Sequence, residues 1–86
     1  MGKQERLLNI ILEGRLDANI SFRDLLSLLR TLGFEETIRG SHHLFRKKGT
    51  AEKINLQRDG NKAKPYQVKQ VREIFVALGV RENDDA

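Results

Sequence analysis

The stretch that decides the fold is "FEETIRGSHHLFRKKGTAEKINLQ", residues 34–57. It holds three short runs of strand character. "FEETIRG" carries Phe34 and Ile38, and "HHLFRK" carries Leu44 and Phe45. "EKINLQ" alternates, with Ile54 and Leu56 on one face and Lys53, Asn55 and Gln57 on the other. Side chains on a strand point to opposite faces in turn, so this period of two predicts a half-buried strand. "KKGT" is short enough to join the second run to the third as a hairpin connection. Sequential strands with short links pair with their neighbours, so the simplest arrangement is a three-stranded antiparallel meander.

Outward from this stretch the period changes to that of a helix. In "SFRDLLSLLRTLG", residues 21–33, Leu25, Leu28, Leu29 and Leu32 form an apolar stripe. Ser21 reads as its N-cap, Asp24 completes an S-x-x-D box, and Gly33 ends it. Before it, "ERLLNIILEG" predicts a short amphipathic helix carrying Leu7, Leu8, Ile11 and Leu12, and "DANIS" a turn. After the strands, "RDGNKAK" reads as a loop. Pro65 then opens a helix with Val68, Val71, Phe75 and Leu78 on one stripe and Gly79 as its stop. A sheet with one apolar face and helices with apolar stripes bury each other best in an α+β sandwich, with the helices on one face of the sheet. The expected organisation is a helical N-terminal extension over residues 1–20, a domain over 21–80, and a disordered tail over 81–86.

Eighty-six residues suit one small domain with little room for a deep pocket. The chain has no Cys, which excludes disulfides and thiolate zinc sites. The first apolar cluster, "LLNIIL", is too short for a membrane span. The expectation is a soluble cytoplasmic protein with no membrane partner and no cofactor. The net charge of +4 is unevenly spread. Between Arg39 and Arg72, ten Lys and Arg stand against two acids, Glu52 and Asp59, so that segment carries +8 and the rest of the chain −4. Such asymmetry suits a polyanionic partner, most often nucleic acid; the alternative is lysine and arginine serving solubility.

Both histidines of the chain, His42 and His43, stand in this basic segment. Acyl transfer by a Ser-His-acid triad finds little support, because Ser41 directly adjoins His42 and no nucleophile-elbow signature surrounds it. Adjacent strand residues point to opposite faces, so the two imidazoles are poorly placed to share a metal ion, and no metal is expected. RNA cleavage asks for less: the 2′-hydroxyl is the nucleophile, and the protein supplies one general base and cations near the phosphate. The alternative is a surface histidine on a strand edge. Strand parity separates the pair. If Phe45 enters the core, His43 shares its side, and His42 shares the open face with Leu44 and Arg46. His42 is therefore the first candidate for the base and His43 the alternative. Ser41 either supports His42 or is only a turn residue.

"LLSLLRTLGFEETIRGSHHLFRKKG" followed by "EKINLQRDGNKAKPYQVKQVREI" resembles the HicA family of bacterial toxins from toxin–antitoxin pairs. The resemblance rests on Gly33-Phe34, the Gly40-Ser41-His42 motif, Phe45, the Ile54–Leu56 strand, and Lys64-Pro65 opening a helix with Val68, Val71 and Arg72. It covers about residues 22 to 78. It implies an α-β-β-β-α fold like that of a double-stranded-RNA-binding domain, with an extra N-terminal helix here. It implies a metal-independent mRNA interferase that cuts single-stranded RNA, with the motif histidine as active residue, and a HicB-like antitoxin that covers the site. This chain differs in its N-terminal extension. It differs also at "NLQ", where many members carry a His-containing stretch; RNA binding without cleavage is thus one rival reading. A protein-interaction domain with a basic face is another.

Arg39, Arg46, Lys47, Lys62, Lys64 and Lys69 are the expected phosphate contacts. Lys62 and Lys64 flank the start of the last helix, where unpaired N–H groups and the helix dipole favour anions. Lys69 falls on the polar side of the same helix. Tyr66 either stacks on a base or packs partly buried.

Overall fold

The computed structural model describes residues 2–80; the tail expected over 81–86 lies outside them. In chain order the elements are α1 (Lys3–Glu13), a 3-10 turn (Asp17–Asn19), α2 (Phe22–Thr31), β1 (Glu35–Arg39), β2 (His42–Arg46), β3 (Lys53–Leu56), β4 (Arg58–Asp59), β5 (Lys62–Ala63) and α3 (Pro65–Leu78). The fold is α+β. β1, β2 and β3 form an antiparallel sheet in that spatial order.

The period-two pattern of the sheet is realised as written. Phe45, Ile54 and Leu56 are buried, while Arg46, Lys53 and Asn55 are exposed. Phe45 lies opposite Ile54, and His43 opposite Leu56. On the buried side these residues join Phe22, Leu25, Leu28 and Leu29 of α2 and Val68, Val71 and Phe75 of α3 in one cluster. Truncating a fully buried ring such as Phe45 to Ala costs about 3–5 kcal/mol, so the buried face fixes the register of the strands. The opposite face carries no helix residues of this cluster and is open.

The helix ends follow their local chemistry. Ser21 Oγ accepts from the Asp24 N–H at 3.2 Å and caps α2. Asp24 departs from the expected reciprocal box: its carboxylate pairs with Lys3 Nζ of α1 at 3.2 Å. Pro65 takes the first turn of α3. At the other end Gly79 adopts φ +73°, and the Val80 N–H reaches the Phe75 carbonyl at 2.9 Å.

One segment differs from its sequence reading. The expected loop at residues 58–64 contains a small antiparallel hairpin, with Arg58 opposite Ala63 and Asp59 opposite Lys62. Gly60, at φ +63°, makes the turn. Ala63 is buried, and its N–H bonds the Ile20 carbonyl at 2.9 Å, which ties the hairpin to the entry of α2. The N-terminal helix packs into the core, with Leu8 and Ile11 buried in the same cluster as the sheet. Arg72 of α3 locks this corner. It donates to both carboxylate oxygens of Asp17 at 2.9 and 3.0 Å, and to the Ile11 carbonyl at 3.1 Å. Among the described residues no helix is long and apolar enough to cross a membrane.

Candidate nucleic-acid interface

The β1–β2 connection is only Gly40-Ser41, with Arg39 opposite His42. Gly40 adopts φ +58°, which a two-residue hairpin turn requires. This tight link brings Arg39 and His42 side by side on neighbouring strands, on the open face. Because the strand begins at His42, alternation carries through both histidines. His42 is exposed with Arg39, Arg46, Lys53 and Asn55, while His43 turns towards Phe45 and the helices.

His42 Nδ1 lies 3.3 Å from Asn55 Oδ1 on β3. An amide oxygen only accepts, so the tautomer that suits this contact carries its proton on Nδ1 and presents the Nε2 lone pair, the form a general base needs. A cavity of about 610 Å³ opens on this face, lined by Thr37, Arg39, Leu44, Arg46, Lys53 and Asn55 among others. His42 adjoins Arg39 and Asn55 without lining the cavity itself. Glu35 is the acid on this surface, and it faces Arg46 across the β1–β2 pair.

His43 has different surroundings. Its Nδ1 is 2.7 Å from Glu36 Oε2, and its ring meets the Phe22 ring edge-on at 5.1 Å. Glu36 Oε1 in turn accepts from Arg30 Nε at 2.9 Å and Nη2 at 2.6 Å. Burial alone would raise the Glu36 carboxyl. The hydrogen bonds from His43 and Arg30, with the charge they bring, outweigh it and hold the group below its ordinary value. The His43 side chain is 18% exposed, so one edge of this imidazole still reaches solvent.

The other expected contacts divide. Arg39 lies beside His42 on the open face, and Arg46 shares that face at the other end of β2, opposite Glu35. Lys64 stands at the head of α3, and its Nζ donates to Gln57 Oε1 at 3.3 Å. Gln57 Nε2 donates to Ser41 Oγ at 3.1 Å, so Ser41 is linked to Lys64 through Gln57. This chain borders the same end of the sheet as His42. Lys47 turns the other way: its Nζ donates to the Leu32 carbonyl at 2.6 Å and lies 5.6 Å from the Phe34 ring centroid. It caps the C-terminal end of α2. Lys62 bonds Asn19 Oδ1 at 2.8 Å, on the small hairpin. Lys69 is exposed on α3. Tyr66 is 60% exposed, against the expectation that it packs partly buried: it stands in the first turn of α3, whose buried residues start at Gln67. Gln67 is buried because its Oε1 accepts the Gln57 N–H at 2.9 Å, joining the end of β3 to α3.

Sequence reading left out Asn55, Gln57 and Lys53 as site residues, although the alternation of "EKINLQ" already put them on the polar face. It left out Arg58, whose guanidinium sits 5.2 Å from the Phe22 ring. Among the described residues no group of three or more His, Cys, Asp or Glu side chains is placed to hold a metal ion. Compared with protein-family models, curated proteins and solved structures, the chain matches none.

Proposed function

We propose that the open face of the sheet binds single-stranded RNA and that His42 cleaves it as a general base, in the manner of the HicA toxins that the sequence resembles. The observation that carries this reading is the exposed imidazole of His42 beside Arg39, on a face that also bears Arg46 and Lys53. His42 Nε2 takes the proton of a 2′-hydroxyl. The 2′-oxygen attacks the adjacent phosphorus, and the bond to the 5′-oxygen breaks. The products are a 2′,3′-cyclic phosphate and a 5′-hydroxyl, the leaving oxygen taking its proton from water. Arg39, beside His42, stabilises the charge that builds on the phosphoryl oxygens, and Arg46, at the other end of β2 on the same face, meets a neighbouring phosphate of the strand. Lys64, with Gln57 and Ser41, extends the cationic border towards the head of α3. No step requires a metal. The same reading makes a HicB-like antitoxin the natural protein partner and the cytoplasm the place of action.

A second reading of the base is favoured by one contact. The Glu36 carboxylate at 2.7 Å from His43 Nδ1 orients that imidazole, as a base is oriented in catalytic triads. The deciding experiment incubates the protein with end-labelled single-stranded RNA in chelator, beside His42→Ala and His43→Ala. Loss of cleavage in well-folded His42→Ala supports the first reading. Loss in well-folded His43→Ala alone transfers the role. Binding without cleavage by the native chain leaves an RNA-binding module.

A further inference from the structure

β1 is an outer strand of the sheet, and among the described residues it makes no backbone hydrogen bond outside its ladder with β2. Its free edge carries no proline and no bulge, and its protection is charge alone, on Glu35, Glu36 and Arg39, so only a partner of matching charge suits it. Ile38 is 57% exposed there. The two-residue turn fixes which backbone groups point outward. Arg39 and His42 close that turn and exchange both of their hydrogen bonds, so hydrogen-bonded pairs alternate from there along the ladder. Arg39, Thr37 and Glu35 thus direct their N–H and C=O towards β2, and Ile38 and Glu36 direct theirs to the free edge.

We propose that this edge is an interface with a second copy of the chain, β1 pairing antiparallel with β1 about a twofold axis at Thr37. In that register Glu36 lies opposite Ile38 of the second copy, and Ile38 opposite its Glu36. Both pairs carry outward groups, so four backbone hydrogen bonds close. Glu35 lies opposite Arg39 of the second copy, and Arg39 opposite its Glu35, so two cross-strand ion pairs form on the open face. Among the described residues neither Glu35 nor Arg39 has an ion-pair partner within its own chain. A shift of two residues either way keeps outward groups paired but loses both ion pairs. One shift sets Glu36 against Glu36, and the other sets Arg39 against Thr37. Charge therefore selects the central register, and the surface is self-complementary, as a twofold interface must be. The two Ile38 side chains become diagonal neighbours on the inner face. The product is a six-stranded sheet whose two basic open faces are continuous.

Strands of five residues bury little area, so the dimer is weak, with a dissociation constant on the order of 0.1 mM. Sedimentation equilibrium from about 10 µM to about 1 mM tests it, spanning that constant on both sides. The native chain should shift from monomer to dimer across the range. Glu35→Arg alone and Arg39→Glu alone should each weaken self-association by about tenfold or more, because each sets like charges opposite one another twice. An equimolar mixture of the two variants should associate again, since both of its cross-strand pairs are Glu with Arg. Ile38→Pro removes one outward N–H without touching the ladder to β2, and should leave a folded monomer. A native chain that stays monomeric throughout overturns the proposal. So does a dimer indifferent to the charge reversals and to Ile38→Pro, which would use another surface.

Discussion

Glu36 Oε2 and His43 Nδ1 lie 2.7 Å apart on neighbouring strands, on the face of the sheet turned to the helices. One residue earlier, His42 looks out of the opposite face. Two identical side chains, adjacent in sequence, are therefore given different chemistry by strand alternation alone. His43 is held between a carboxylate and the Phe22 ring, whereas His42 is exposed among cations.

The Glu36 contact predicts an acid-dependent loss of stability. The carboxyl is held below its ordinary value, so the unfolded chain takes up a proton at higher pH than the folded chain. The stabilisation is complete above the ordinary carboxylate range and is lost as pH falls through the lower, folded value. Urea unfolding should show the native midpoint dropping between about pH 6 and about pH 3 more steeply than that of Glu36→Gln. Near neutral pH, Glu36→Gln should cost about 1–3 kcal/mol, because the charge-assisted character of the bonds to Arg30 and His43 disappears. Parallel pH profiles for the two proteins would remove Glu36 from this role.

A second prediction concerns Arg72, which belongs to the basic segment in sequence but serves the fold in space. Its guanidinium pairs with Asp17 through both nitrogens and also satisfies the Ile11 carbonyl at the end of α1. Arg72→Ala should cost about 2–3 kcal/mol, because it leaves Asp17 and that carbonyl without their donor. A double-mutant cycle with Asp17→Ala should show coupling of about 1 kcal/mol or more. RNA affinity should be unchanged in folded Arg72→Ala.

How far the sequence spoke depends on whether a signal was local. The strand over residues 53–56 was legible because Ile54 and Leu56 alternate with Lys53 and Asn55, and the placement of His42 and His43 followed from Phe45 by parity. The ends of α3 were legible in Pro65 and Gly79, which act through their own backbone. The β4–β5 hairpin was not, since two-residue strands show no alternation, and its one signal was the Gly60-Asn61 turn. The contacts of Lys47 and Arg72 were illegible for a different reason. Each donates to a main-chain carbonyl far away in sequence, Leu32 and Ile11, and a carbonyl leaves no mark in composition. The +8 of the central segment therefore overstates the charge free to meet a polyanion.

That difference can be read in salt dependence. If the open face is the RNA footprint, Arg39→Ala with Arg46→Ala should weaken binding and reduce the single-strand salt slope by about 0.7 for each phosphate that is no longer neutralised. Lys47→Ala should leave the slope unchanged and instead lower stability by about 1 kcal/mol, as it uncaps the Leu32 carbonyl. Fluorescence anisotropy titrations across a salt series measure the first effect, and urea unfolding the second. A slope altered by Lys47→Ala but not by the arginine pair would put the footprint on the helix side.

The last prediction is chemical. His42→Ala should lower the cleavage rate by about 10²–10⁴-fold, the usual contribution of a general base, while the protein stays folded because this side chain is exposed. Asn55→Ala should lower it less, since Asn55 only helps to set the tautomer through its 3.3 Å contact. His43→Ala should act on stability, by removing the bond to Glu36 and the packing against the Phe22 ring. An all-deoxy strand should bind and stay intact, because it lacks the nucleophile. Cleaved RNA should end in a cyclic phosphate, and chelator should leave the rate unaltered. Full activity in folded His42→Ala, or scission of the deoxy strand, would remove the mechanism. In the first case the imidazole of His43, already oriented by Glu36, is the group left to carry the proton. In the second the nucleophile is water, and a base acting on a 2′-hydroxyl has no part in the reaction.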